Sequence, residues 1–169
     1  YASGLSSLIE DEQELGAACI DMGGGSSSVS IFLRKQMIFA DCARVGGVHV
    51  TRDVSEAFSI PFADAERIKT LHGGVVATGI DDRDLIQAPR LGAHEEDERR
   101  ISRAALIGVI RPRLEETFEE VRGLLDAAGF GGLPSRRIVL TGGASQLPGR
   151  AGVARTVLGP GSYPPLRAP

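Results

Sequence analysis

Two glycine turns, each at the end of an apolar run, constrain this chain more than any other feature. The first is Ile20-Asp21-Met22-Gly23-Gly24-Gly25-Ser26-Ser27-Ser28 and the second is Thr141-Gly142-Gly143-Ala144-Ser145. Each reads as a strand followed by a glycine turn, with a small hydroxyl residue at the turn or just after it. Glycine lacks Cβ, so its backbone N–H groups can close on phosphate oxygens, and φ > 0 is accessible. Asp21 adds a carboxylate at the end of the first strand. From there it can hold a hydrated Mg²⁺ beside phosphates, since Mg²⁺ takes one or two carboxylates together with substrate oxygens. A single glycine turn is weak evidence, because purely structural turns look the same. Two of them, each ending a strand and about a domain length apart, favour phosphate binding.

Composition narrows the class. The 169 residues can bury one respectable core or two small ones. Hydrophobic content of 42% and charged content of 24% are ordinary globular values. A net charge of −3 lacks the basic excess of a nucleic-acid surface, so no nucleic-acid partner is expected. Cys19 and Cys42 have no metal spacing; Cys19 falls in an apolar run, where a thiol acts as a small hydrophobe, and no disulfide is expected. His49, His72 and His94 are far apart, which argues against a metal site other than nucleotide-bound Mg²⁺. The run Gly143-Ala144-Ser145-Gln146 lacks the flanking glycine pattern of a nucleophile elbow, so acyl-hydrolase chemistry is set aside. No apolar run approaches the roughly 20 residues of a bilayer span. No signal peptide is visible, and the chain is expected to be soluble.

Periodicity predicts the order of elements. Tyr1–Ile9 reads as a short helix, then residues 16–21 and 28–33 as strands. Ala18, Ile20 and Met22 alternate with Cys19 and Asp21; Val29, Ile31 and Leu33 alternate with Ser28, Ser30 and Phe32. Residues 37–45 give a third strand, with Lys35-Gln36 as the hairpin turn. From Gly46 the period becomes helical, through Val50, Val54, Ala57 and Phe58. After Pro61 a second helix carries Phe62, Ala65, Ile68 and Leu71, ended by His72-Gly73-Gly74. Residues 75–91 are irregular apart from a short strand at 84–88, and Glu95–Arg100 is a charge run expected in an exposed turn. Residues 102–128 form the longest helical pattern, with Ile107, Ile110, Leu114, Phe118, Val121, Leu125 and Ala128 on one face. Pro112 inside it costs about 3 kcal/mol in a helix interior, which predicts a kink or two helices. Residues 136–141 form the last strand, 144–158 a closing helix and 159–169 a loose tail. Three consecutive strands followed by helices predict an α/β fold, a mixed sheet with helices packed on it. Two subdomains are expected: residues 1–44 with 115–169, and residues 45–114 as a smaller inserted unit.

Three segments then carry a family resemblance. Tyr1-Ala2-Ser3-Gly4, Asp21-Met22-Gly23-Gly24-Gly25-Ser26 and Leu140-Thr141-Gly142-Gly143-Ala144 resemble, in order, the first connecting helix, the second phosphate loop and the adenosine loop of the actin/Hsp70/sugar-kinase superfamily. Within it the chain is most similar to the bacterial cell-division FtsA family. Glu10–Gly16, Arg44-Val45-Gly46-Gly47, Asp64–Lys69 and Arg111-Pro112-Arg113-Leu114 carry that similarity, which runs from Tyr1 to about Gly149.

The resemblance implies an actin-like (ribonuclease H-like) fold, a mixed sheet flanked by helices with an inserted smaller α+β subdomain. The two parts would be the 2A-like and 2B-like subdomains. It implies that the chain corresponds to the C-terminal half of the family protein. The first phosphate loop, the second connecting helix and the C-terminal amphipathic membrane anchor would lie elsewhere. The implied cofactors of the full-length protein are ATP and Mg²⁺. Asp21 would position a Mg²⁺-bound water, although an Asp here also serves as a turn cap. Gly23, Gly24, Gly25 and Ser26 would contact phosphate; Gly142, Gly143 and Ala144 would face the α-phosphate and the adenosine. Gly46 and Gly47 open a helix, whose N-terminus attracts phosphate, and would equally serve a plain strand-to-helix turn. Glu66 and Lys69 would touch ribose and adenine; the plain alternative is an exposed i,i+3 ion pair.

The implied partner is the acidic C-terminal tail of the tubulin homologue FtsZ. Arg113 would be its main contact, with Arg111, Lys69 and Arg67 as neighbours, since a guanidinium fork pairs carboxylates bidentately. Self-association into filaments is implied for the full-length protein, at the cytoplasmic side of the inner membrane at the division site. The family is ATP-binding with weak or no hydrolysis, and this chain alone is expected to turn nothing over. Half of a pilus or cell-shape actin homologue, or of a sugar or acid kinase, stays open as an alternative at this point.

Overall fold

The computed structural model describes residues 7–89, 98–130 and 137–159. In chain order the elements are α1 (Glu10–Leu15), β1 (Ala17–Met22), β2 (Ser27–Leu33), β3 (Gln36–Ala43), α2 (Gly47–Phe58), α3 (Phe62–His72), β4 (Leu85–Pro89) and β5 (Glu98–Ser102). There follow α4 (Arg103–Ala127), β6 (Arg137–Thr141), a 3₁₀ turn over Gly143–Gln146, and α5 (Arg150–Leu158). The chain divides into two compact units. The first comprises Tyr1–Gly47, Glu115–Gln146 and Ala151–Pro169; the second comprises Val48–Leu114 and Leu147–Arg150.

The first unit is built on a four-stranded sheet in the order β3-β2-β1-β6. β1 runs antiparallel to β2, β2 antiparallel to β3, and β1 parallel to β6, so the sheet is mixed. β1 is central and buried on both faces: Ala17, Ala18, Cys19, Ile20 and Met22 are all in the core. The central position in the sheet buries both faces of the strand, Cys19 included. Leu8, Ala17, Cys19, Phe32 and Val139 form one apolar cluster. Burial there pushes the Cys19 thiol up to about 11, with the Asp21 charge adding to the effect. Cys19 and Cys42 are both thiols. Phe118, Val121, Leu125, Val153 and Ala154 extend the buried set of this unit along α4 and α5.

The hairpin turn is Arg34-Lys35, one residue earlier than expected, with both residues at positive φ (51° and 60°). The reason lies in α1. The Arg34 and Lys35 N–H groups donate to the carbonyls of Glu14 and Gln13 at 3.1 and 3.0 Å. These are carbonyls a helix end leaves without an intrahelical partner, so the turn caps the helix. The other end of α1 is closed by Glu12. Its carboxylate accepts from the Ile9 N–H (3.0 Å) and from Arg137 of β6 (2.9 Å), and the side chain is almost fully buried.

The second unit combines α2, α3, the antiparallel β4–β5 pair and the first part of α4. Val50, Val54 and Phe58 give α2 a buried stripe with Thr51 beside it, whereas Ala57, expected in the stripe, is exposed. On α3 only Ala65 and Ile68 are buried. Phe62 and Leu71, expected on the same face, are 48% and 68% exposed. β4 alternates as a half-covered strand should, with Ile86 and Ala88 in and Leu85, Gln87 and Pro89 out. Leu106, Ile107, Ile110 and Leu114 of α4 complete the core.

Several boundaries differ from expectation. α4 is one helix despite Pro112 in its interior, and Ala128 lies outside it and is exposed. β3 stops at Ala43 rather than residue 45. The closing helix is broken in two because Pro148, which cannot donate within a helix, separates the 3₁₀ turn from α5. The charge run is not simply a turn, since Glu98, Arg99 and Arg100 belong to β5; its first residues lie outside the described residues, as do residues 1–6 and the tail from residue 160. Among the described residues no helix is long and apolar enough to cross a membrane.

Candidate functional site

Within the first unit, pairing in the sheet brings the two glycine turns together. β1 and β6 are parallel neighbours with Asp21 opposite Thr141, so the turns that follow them leave the same end of the sheet. The carboxyl ends of parallel strands are where open α/β sheets bind ligands. Gly142 has φ +88°, and a Cβ on it would lie 2.5 Å from Asp21 Oδ1 and 2.5 Å from the Met22 carbonyl oxygen. Only glycine fits there, for conformation and for space. The Ser145 N–H and Oγ–H both donate to the Gly142 carbonyl, at 3.1 and 2.6 Å, and tighten the second turn.

The first turn is closed by the Gly23 N–H donating to the Ser26 carbonyl at 2.9 Å. The Gly47 N–H then donates to the Gly23 carbonyl, also at 2.9 Å. Gly46 sits so close that a Cβ on it would meet the carbonyl oxygens of Gly23 and Gly24 at 2.6 Å and the Ser26 nitrogen at 2.7 Å. Buried Ser27 fastens the same junction, its Oγ–H donating to the Val45 carbonyl at 2.7 Å. Asp21, Gly23–Ser26, Gly46, Gly47 and Gly142–Ala144 therefore form one cluster. The amides of Gly23 and Gly47, named from sequence as phosphate contacts, are engaged in the loop's own hydrogen bonds. Gly24, Gly25 and Gly143 are the exposed members.

The donor set bears on Mg²⁺. Among the described residues no group of three or more His, Cys, Asp or Glu side chains could hold a metal ion. One carboxylate at the mouth of two glycine turns fits an ion whose other ligands are waters and phosphate oxygens. Asp21 is the residue that would face it.

In the second unit, Glu66 and Lys69 form more than an exposed pair. Lys69 Nζ donates to Glu66 Oε2 at 2.7 Å and to Thr51 Oγ1 at 2.8 Å, and the Thr51 hydroxyl donates in turn to the same Glu66 oxygen. Thr51 is fully buried, and the Lys69 side chain is 12% exposed. Burial pushes the Glu66 carboxyl up, but the bonds from Lys69 and Thr51 and the Lys69 charge outweigh it and hold it below its ordinary range. The sequence did carry a signal for Thr51: a hydroxyl set inside an apolar helical stripe needs a partner.

Arg113 is half-buried and locked to Asp53 of α2. Its Nε–H donates to Asp53 Oδ2 at 2.6 Å and its Nη2–H to Oδ1 at 2.9 Å, a bidentate pair spanning 60 residues of sequence. Arg67 pairs with Asp64 at 3.1 Å on the surface of α3, and Arg111 is exposed. Nothing in the sequence singled out Asp53, since a lone Asp on a helix has many uses.

A mixed sheet in the order 3-2-1-6, flanked by helices and ending in paired glycine turns, is the fold of actin-like proteins. Spiroplasma citri MreB5 bound to ADP superposes with a TM-score of 0.76 at 20% identity, covering 92% of this chain and 50% of that one. The PilM–PilN type IV pilus biogenesis complex gives 0.66 at 19% identity, over 96% and 38%. Sequence then specifies the family. The family model for cell division protein FtsA matches residues 18–166. The Agrobacterium fabrum FtsA is 44% identical over 159 residues, covering 94% of this chain and 36% of the relative. The Escherichia coli FtsA is 33% identical over 163 residues, covering 92% and 38%. The chain belongs to the FtsA cell-division family, and it spans little more than a third of the length of these curated relatives.

Proposed function

We propose that this chain contributes the second phosphate loop and the adenosine loop to an ATP site in an FtsA-type protein, and that it docks the acidic FtsZ tail to link FtsZ filaments to the division membrane. In this reading the unit built on the sheet is the 2A-like subdomain and the other the 2B-like subdomain. Gly24, Gly25 and Ser26 meet phosphate oxygens; Gly143 and Ala144 meet the α-phosphate and adenosine. Asp21 holds the water shell of Mg²⁺, whose chemistry when bound is to neutralise phosphate charge. Gly46 and Gly47 act by shaping the first loop. Glu66 and Lys69 are the ribose and adenine contacts, Thr51 fixing their rotamers. Membrane association and self-association belong to the full-length protein.

The observation that carries the nucleotide reading is the register of Asp21 against Thr141, which sets the carboxylate and both glycine turns at one end of the sheet. That MreB5 was crystallised with ADP and with AMPPNP supports it by fold. The test is a ¹H–¹⁵N titration of the 169-residue chain with Mg-ATP. Shifts are expected at Gly24, Gly25, Gly143 and Ala144, with weak affinity and no hydrolysis. A silent spectrum up to about 10 mM, beyond any affinity that would count as a site, rejects the reading. For the tail, Arg113 carries the proposal through the match of its fork to a carboxylate. Anisotropy with a labelled FtsZ tail peptide, lost on Arg113→Glu, is the expected outcome.

A further inference from the structure

We infer that Asp53 is a built-in competitor of the acidic partner peptide, holding the Arg113 fork until a partner carboxylate displaces it. The inference rests on the tail-docking reading above and adds its control. Asp53 presents to Nε and Nη2 of Arg113 the same two-oxygen geometry that a glutamate or aspartate of a peptide would present. One carboxylate fills those two donors at a time.

Two of the other cations assigned to the docking face are occupied in the same way. Lys69 is held by Glu66 and Thr51, and Arg67 by Asp64. These three pairs are neutral, so an incoming acidic segment gains contacts by exchanging carboxylates rather than by meeting bare positive charge. The pairs differ in kind. Glu66–Lys69 and Asp64–Arg67 are i,i+3 contacts within α3, which the helix re-forms at once. Asp53–Arg113 joins α2 to α4 within the second unit, is bidentate, and is only about a quarter exposed on each side. It is the pair whose exchange limits binding. Apparent affinity is then the intrinsic affinity multiplied by the fraction of molecules with Asp53 displaced.

The opposite role, Asp53 orienting Arg113 for the partner, predicts the opposite sign, so one substitution decides. A labelled FtsZ tail peptide is titrated by anisotropy into the full 169-residue chain as wild type, Asp53→Asn, Asp53→Ala, Arg113→Glu and Asp53→Asn/Arg113→Glu, each checked by circular dichroism. Both Asp53 variants are expected to lower Kd by about 1.5- to fivefold, the range spanned when one partly exposed ion pair stops competing. The gain vanishes in the double variant and with a peptide whose carboxylates are amidated. Unchanged or weaker binding by folded Asp53→Asn, with Arg113→Glu still abolishing it, overturns the competitor and leaves docking intact. Binding indifferent to Arg113→Glu, or absent from both wild type and Asp53→Asn, overturns the docking reading and the inference with it.

Discussion

The two units use opposite means to shape their sites. In the first, backbone does most of the work: two glycines, Gly46 and Gly142, are placed where a Cβ has no room. The first loop closes through its own amides and carbonyls, with the Ser27 hydroxyl fastening its base. In the second, side chains do it: Thr51, Glu66 and Lys69 interlock, and Asp53 grips Arg113. A backbone-built cluster tolerates almost no change at its contact glycines, and much change beside them. A side-chain-built cluster should lose stability in graded steps, one hydrogen bond at a time.

The sharpest test of that contrast lies inside one loop. Gly46→Ala forces a methyl into two carbonyl oxygens and an amide nitrogen at 2.6–2.7 Å, none of which belongs to a flexible side chain. We expect a loss of about 3 kcal/mol or more, read by urea unfolding. Gly25→Ala meets nothing within 4 Å. It should change stability by under about 0.5 kcal/mol while weakening nucleotide binding. Equal losses at both positions would break the comparison, because loop glycines would then share one general role.

How much of this could be read from sequence follows the same division. The glycine turns were legible because backbone demands select a residue type, as at Gly142, where φ is +88° beside a carboxylate. The sheet order and the pairing of Asp21 with Thr141 were not, since they join segments about 120 residues apart. Helix stripes were legible where burial follows a 3.6 period, as in Ile107–Ile110–Leu114. They failed at Ala57, Phe62 and Leu71, since periodicity shows which face is apolar and not how far a neighbour covers it. The Arg34-Lys35 turn was misplaced by one residue because its geometry is set by the end of α1, not by turn residues. Asp53 was invisible, since its partner stands 60 residues away.

The next largest effect is expected at Thr51. Its hydroxyl is fully buried and bonded to both Glu66 and Lys69. Thr51→Val keeps the shape and removes the bonds, and should cost about 1–3 kcal/mol, the usual loss when buried partners go unmet. Thr51→Ser keeps the hydroxyl and should recover most of that in the same melt. A Val variant as stable as wild type would mean that Glu66 and Lys69 hold each other without help, and that this unit too is set by its backbone.

Acid provides a third test, again in the side-chain-built unit. Bonds from the backbone and side chain of Thr78 hold the Asp81 carboxyl below its ordinary range; burial opposes them, and the Arg103 charge adds to them. A carboxyl with a depressed folded value stabilises above its unfolded value of about 3.9 and loses that contribution as pH falls through the folded value. Stability should therefore drop below about pH 4 in wild type and drop less steeply in Asp81→Asn, which should also be the less stable of the two at neutral pH. Identical acid limbs would show that Asp81 does not set the acid sensitivity.

The smallest effect is expected at Lys35, where backbone and side chain pull in opposite directions. Lys35 sits at φ 60°, a conformation glycine adopts without strain and other residues at some cost. Its ammonium reaches Glu10 at 3.5 Å, but both side chains are more than half exposed, so the pair contributes little. It also lies at the C-terminal end of α1, where positive charge is mildly favourable. Its N–H bond to the Gln13 carbonyl is kept by any residue except proline. Lys35→Gly should thus relieve about 1 kcal/mol of backbone strain and give up about half of that in charge interactions, a net gain of about 0.5 kcal/mol in unfolding free energy. A loss of 1 kcal/mol or more, measured against typical surface changes of about 0.5, would show that charge at the helix end outweighs conformation. Then even the backbone-built unit would depend on a side chain at its hairpin.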